Sequence, residues 1–152
     1  MMEETVAGRW FGLAFGSVGL AVAFVLVVAM GVAGEVAIEA PLGLVSGVVA
    51  TLVVSRSLGG VLAARLGRGS LLNAVVLGTG VGILALQAGV LAGTLPQLVT
   101  QASVQRYGIG REFYDYVVKP LAWINFFGLV PAAVLGAVFG VTVARVVTRE
   151  GL

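Results

Sequence analysis

The sequence predicts an all-α membrane protein: four transmembrane helices in a glycine-rich bundle, with a short interfacial helix between the third and fourth. Three observations carry this expectation. First, 59% of the 152 residues are hydrophobic and 11% are charged, with a mean hydropathy of +1.09. A soluble domain of this size has too little interior to hide so much apolar surface from water. Second, the charge-poor runs near 10–34, 41–64, 70–95 and 121–144 each supply the roughly 20 apolar residues that a helix needs to cross a hydrocarbon core of about 30 Å. Third, the 23 glycines recur at four-residue spacing inside those runs. Residues 1–152 are therefore expected to form a single integral membrane domain.

Helix 1 begins around Arg9 and Trp10, an aromatic suited to the interface, and ends near Gly34. The start, "MMEETVAGRW", is acidic apart from Arg9 and the apolar run is long, so it reads as a permanent helix and not as a cleaved secretory signal. Glu35 and Glu39 follow, and Pro41 takes the first turn of helix 2, where its missing N–H would be an orphan in any case. After helix 2, "RLGRGS" makes a tight basic turn with Arg65 and Arg68. Helix 3 is expected to end at Pro96 and helix 4 to start near Pro120. Pro131 would release the carbonyl near Phe127 and kink helix 4.

The segment between them, "QLVTQASVQRYGIGREFYDYVVK", puts Phe113, Tyr116 and Val117 on one helical face, with Arg111, Glu112 and Asp115 elsewhere. That pattern suits a short helix in the headgroup layer, with Tyr107, Tyr114 and Trp123 extending an aromatic belt. Anchoring is a plainer role for these aromatics than a ligand-binding lid. "YGIG", Tyr107 to Gly110, reads as a hinge.

With the N-terminus inside, Arg9, Arg65, Arg68, Arg145 and Arg149 fall in the cytoplasm against Arg106, Arg111 and Lys119 outside. The positive-inside rule thus favours cytoplasmic termini, and the expected location is the cytoplasmic membrane of a prokaryote. The net charge of +2 reads as topology determinants, so nucleic acid is not expected as a partner.

Glycine costs a helix about 1 kcal/mol relative to alanine in water, so its placement needs a reason. Helix 1 carries Gly8, Gly12 and Gly16; helix 2 carries Gly43, Gly47, Thr51, Ser55, Gly59, Ala63 and Gly67. Helix 3 carries Ala74, Gly78 and Gly82, then Ala85, Gly89 and Gly93; helix 4 carries Gly128, Ala132, Gly136, Gly140 and Ala144. Small residues every fourth position form smooth grooves through which transmembrane helices approach closely. The grooves can close one bundle or face other subunits. With four helices and five tracks, at least one is expected to serve a partner, and the track from Gly128 to Ala144 is the strongest case. The partners expected are the lipid bilayer and either identical copies or other membrane subunits.

Two motifs point nowhere further. "GTGVG" at 78–82 lies mid-span without the Lys or Ser/Thr that a phosphate loop needs. The size, four spans and glycine tracks resemble in composition the duplicated proteolipid subunits of rotary ATPase rings. That family turns on a carboxylate in the middle of a span, and no span here contains one.

Arg56 is the most informative single residue, because intramembrane arginine is expensive. Its plainest role is to snorkel towards the headgroups; the alternatives are pairing with carbonyls or a partner's acid, and lining an anion or solute path. Asn73, Thr79, Gln87 and Asn125 read as interhelical hydrogen-bonding groups, with Gln87 the best candidate for any polar pathway. The chain has no histidine and no cysteine, which removes disulfides, thiolate nucleophiles and nearly all zinc, copper, haem and iron–sulfur ligation. No cofactor and no metal site is expected. The acids are Glu3, Glu4, Glu35, Glu39, Glu112, Asp115 and Glu150; only Glu39 with Asp115 suggests an acid–base pair, and no catalytic residue is assigned. The expected function is that of a structural or accessory subunit of a membrane assembly. A small oligomeric channel or transporter is the alternative, and a membrane-embedded enzyme is less favoured than either.

Overall fold

A computed structural model describes residues 2–29, 41–66, 70–104, 110 and 113–149. Apart from Ser70 the described residues are helical, with α1 Met2–Ala29, α2 Pro41–Leu66, α3 Leu71–Val104 and α4 Lys119–Arg149. Each of the four contains a stretch long and apolar enough to cross a membrane: Gly8–Val25, Pro41–Leu66, Leu71–Pro96 and Lys119–Val146. The turns holding Glu35, Glu39 and Arg68, and the hinge residues Tyr107 to Ile109, lie outside the described residues.

Local chemistry sets several helix ends. Pro41 opens α2, its fixed φ already helical and its absent donor harmless in the first turn. Ser70 caps α3: the Asn73 N–H donates to its Oγ at 3.3 Å and the Ala74 N–H to its carbonyl at 3.1 Å.

One expectation requires correction. Pro96 does not end helix 3, because α3 runs through it to Val104. Proline removes one N–H and so orphans the carbonyl one turn back, here Ala92. The Ser46 hydroxyl of α2 donates to that carbonyl at 2.7 Å, so the helix continues without a buried unsatisfied acceptor. Much of the segment expected to form an interfacial helix between α3 and α4, Arg111 and Glu112 included, lies outside the described residues. Tyr114–Val118 forms a π turn that leads directly into α4, with the Lys119 N–H donating to the Tyr114 carbonyl. This turn sits immediately before Pro120, which has no N–H to close a regular α turn. Val117 is buried, so the face expected to lie in the headgroups turns partly inward. Asp115 pairs with Lys119 at 2.6 Å, and the Lys119 ammonium lies 5.6 Å from the Tyr114 ring.

The helices pack in chain order, α1 on α2, α2 on α3 and α3 on α4, while α1 and α4 touch only slightly. At one end, formed by the start of α1 and the finish of α4, all four helices meet around Leu62, Ala63, Leu66, Ala74, Phe139 and Val143. Phe15 and Phe139 join α1 to α4 there, ring centroids 4.8 Å apart. Pro131 lies within an unbroken α4.

Candidate functional site

Every glycine track expected from the sequence whose surroundings are described meets another helix of the same chain. A Cβ added to Gly8 would lie 2.5 Å from the Ala63 Cβ and 2.6 Å from the Gly59 carbonyl oxygen; one on Gly12 would strike the Ser55 carbonyl. Gly16 would meet the Ser55 Oγ at 2.9 Å, and Gly59 the Gly12 Cα at 2.9 Å. Between α2 and α3, a Cβ on Gly47 would lie 2.9 Å from the Gly89 carbonyl oxygen and one on Gly93 3.1 Å from that of Gly43, while one on Gly89 would strike the Thr51 hydroxyl. Between α3 and α4, a Cβ on Gly78 would come within 2.7 Å of the Gly140 Cα, and one on Gly82 within 3.1 Å of the Gly136 Cα. Gly136 and Gly140 return the contact against Gly78, and a Cβ on Gly128 would lie 3.3 Å from the Leu86 side chain.

The α4 track from Gly128 to Ala144, expected to serve a partner, is thus spent on α3. Helical geometry explains why five tracks suffice for three interfaces. Residues advance about 100° each, so a four-residue step overshoots a full turn by about 40°. Over its length the α2 track therefore winds from one neighbour to the next: Gly43, Gly47 and Thr51 serve α3, whereas Ser55, Gly59 and Ala63 serve α1.

Between α1 and α4, which touch only slightly, the bundle has a half-open cleft of about 690 Å³. All four helices line it, with Leu20, Val48, Val90, Ile124 and Leu135 along its walls and Phe139 at its inner end. Three polar side chains reach its surface, Thr51, Ser55 and Thr94. The Thr51 hydroxyl donates to the Gly47 carbonyl at 2.9 Å and that of Thr94 to the Leu91 carbonyl at 3.1 Å, so both are turned back on their own helices.

The intramembrane polar residues lie elsewhere. Gln87 of α3 and Asn125 of α4 pair amide to amide: the Gln87 Nε2 donates to the Asn125 Oδ1, and the Asn125 Nδ2 reaches the Gln87 Oε1 at 3.5 Å and the Leu121 carbonyl at 2.8 Å. The Thr79 hydroxyl points across to the Ala133 carbonyl at 3.4 Å. Asn73 is exposed in the first turn of α3. Arg56 is exposed on α2, its guanidinium carbon 5.9 Å from the centroid of the Trp10 ring. Neither Arg56, Gln87 nor Asn125 is among the residues lining the cavity, so the three side chains on which a polar path depends do not converge on it. Ser46 was missed in the sequence; its signal is a hydroxyl on one helix opposite a proline on the next, visible only once the register of α2 and α3 is known.

Comparison with protein-family models, with curated proteins and with solved structures finds no match to the chain.

Proposed function

We propose that this chain is a non-catalytic accessory subunit of a membrane assembly, docking through the outer face of α1 and α2 around Arg56 and Trp10. The outward position of Arg56 carries the proposal. It lies about 22 Å along the axis from Pro41 and about 15 Å from Leu66, at 1.5 Å per residue, on a face otherwise made of exposed Val45, Val49 and Val53. A cation at that depth is costly unless something neutralises it. Trp10 supplies an aromatic face but no charge. The counter-charge that fits is a carboxylate on a transmembrane helix of another protein. A second copy of this chain has none to offer, since no Asp or Glu lies within the four apolar stretches. Assembly through the glycine tracks, the route favoured by sequence, finds those tracks already occupied inside the chain.

A photo-crosslinking residue at Val53, one turn from Arg56, tests this in native membranes. An adduct of the chain with one discrete protein is expected from Val53, while the same residue at Phe126, 76% exposed on α4, gives lipid adducts. Lipid adducts alone at both positions would mean that Arg56 only snorkels. Ion or solute flux by the purified protein in liposomes would favour the transport alternative.

A further inference from the structure

We infer that the chain is built from two like hairpins, α1–α2 and α3–α4, and that Ile124 is the wedge that keeps the second seam between them open. The likeness is one of register. A Cβ on Gly59 of α2 would lie 2.5 Å from the Gly8 carbonyl oxygen and 3.2 Å from the Gly12 nitrogen; one on Gly136 of α4 would strike the Gly78 carbonyl and lie 3.1 Å from the Gly82 nitrogen. A Cβ on Gly12 would strike the Ser55 carbonyl, and one on Gly82 that of Ala132. Gly8, Gly12, Ser55 and Gly59 thus correspond to Gly78, Gly82, Ala132 and Gly136. The sequence follows the same correspondence, "LGGVLA" from Leu58 against "LGAVFG" from Leu135. So does burial: Leu62 and Leu66 match Phe139 and Val143 in the shared core, while Val61 and Val138 are 52% and 51% exposed.

Two like hairpins side by side have two seams, α2 with α3 and α4 with α1, yet only the first is closed along its length, since α1 and α4 touch only slightly. Counting on from the matched residues, Gly43 and Gly47 of α2 correspond to Pro120 and Ile124 of α4, and Gly89 and Gly93 of α3 to Gly19 and Ala23 of α1. The first seam has no room for side chains at these positions: a Cβ on Gly47 would lie 2.9 Å from the Gly89 carbonyl oxygen, and one on Gly93 3.1 Å from that of Gly43. In the second seam a branched side chain stands at 124 instead, and a Cβ on Gly19 meets nothing within 4 Å. Gly19, Ala23, Pro120 and Ile124 all line the cleft. Helices in lipid are held by close van der Waals contact, so a side chain that keeps two backbones apart forfeits the seam. Nor does the second seam repeat the hydrogen bond of the first. Ser46, which donates to the Ala92 carbonyl, corresponds to Trp123, which is exposed and stacked on Phe127.

The chain has no native cysteine, so spin labels at Phe24→Cys and Phe126→Cys, both exposed, report the distance between α1 and α4 by double electron–electron resonance in lipid nanodiscs. Ile124→Gly should shorten that distance by about 2 Å, the range over which the side chains at a contact set the separation of two helices. Ile124→Ala should shorten it less. Adding Gly19→Leu to Ile124→Gly returns a branched side chain to the seam from the opposite helix, and should restore the wild-type distance. Thermal unfolding in detergent checks that each variant is folded, and Ile124→Ala carries the test if the glycine variant is not. An unchanged distance in the folded Ile124 variants would overturn the proposal, as would a shortened distance that Gly19→Leu leaves in place.

Discussion

The Ser46 hydroxyl donates to the Ala92 carbonyl at 2.7 Å, joining α2 to α3 at the one backbone acceptor that Pro96 leaves without its usual donor. A hydrogen bond between helices in lipid is worth about 0.6 to 1 kcal/mol on average, and more is lost when an acceptor is left bare. Ser46→Ala should therefore lower stability by about 1 kcal/mol. Pro96→Ala restores the α3 donor, so the same serine change made in that background should cost less. A double-mutant cycle by thermal unfolding in detergent reads the coupling; additive losses would show that the serine does not serve the proline.

Gln87 and Asn125 form the second polar tie, between α3 and α4. Gln87→Leu strands the Asn125 amide and should destabilise the bundle by about 1 to 2 kcal/mol. Replacing both by leucine leaves no amide unsatisfied, and should recover part of that loss. A double variant as unstable as the sum of the singles would argue that the pair is not formed.

Gly78 and Gly80 stand two residues apart on α3 and should respond in opposite directions. A Cβ on Gly78 would lie 2.7 Å from the Gly140 Cα and strike the Gly136 carbonyl, while one on Gly80 meets nothing within 4 Å. Gly78→Ala should cost about 1 to 3 kcal/mol, as overpacked interfaces do. Gly80→Ala should raise stability by up to about 1 kcal/mol through helix propensity. Similar shifts from both would contradict the α3–α4 packing.

Cytoplasmic termini are the expectation from the basic residues, and direct labelling tests it, since the chain has no native cysteine. With cytoplasmic termini, Ser103→Cys should react with an impermeant thiol reagent from outside, and Ser70→Cys only after permeabilisation. The opposite pattern would invert the topology.

The spans were legible because apolar length alone sets them, and the bundle's means of packing because small residues at four-residue spacing have few other uses in lipid. The neighbours of each track were not. A drift of about 40° per step carries one α2 track across two partners, and nothing in its composition marks where Thr51 leaves α3 and Ser55 meets α1. Pro96 misled because the rule that proline stops a helix assumes no outside donor, and Ser46 belongs to another helix. The direction of Arg56 was equally hidden, since a helix apolar on every side has no polar face to mark which side turns outward. The cleft lies between α1 and α4, which touch only slightly, a property of pairing that no single segment carries.

Subunit docking through Arg56 is tested most directly by affinity purification of the full chain from native membranes in mild detergent, comparing the wild type with Arg56→Lys and Arg56→Leu at matched expression. Lysine keeps the charge but not the planar, bidentate donor geometry of arginine. A discrete set of proteins should accompany the wild type, be retained less well by the lysine variant and be lost from the leucine variant, whose own thermal unfolding should be unchanged because Arg56 lies outside the packed core. Full retention of the same proteins by Arg56→Leu, or a wild type that purifies with none, would contradict the proposal.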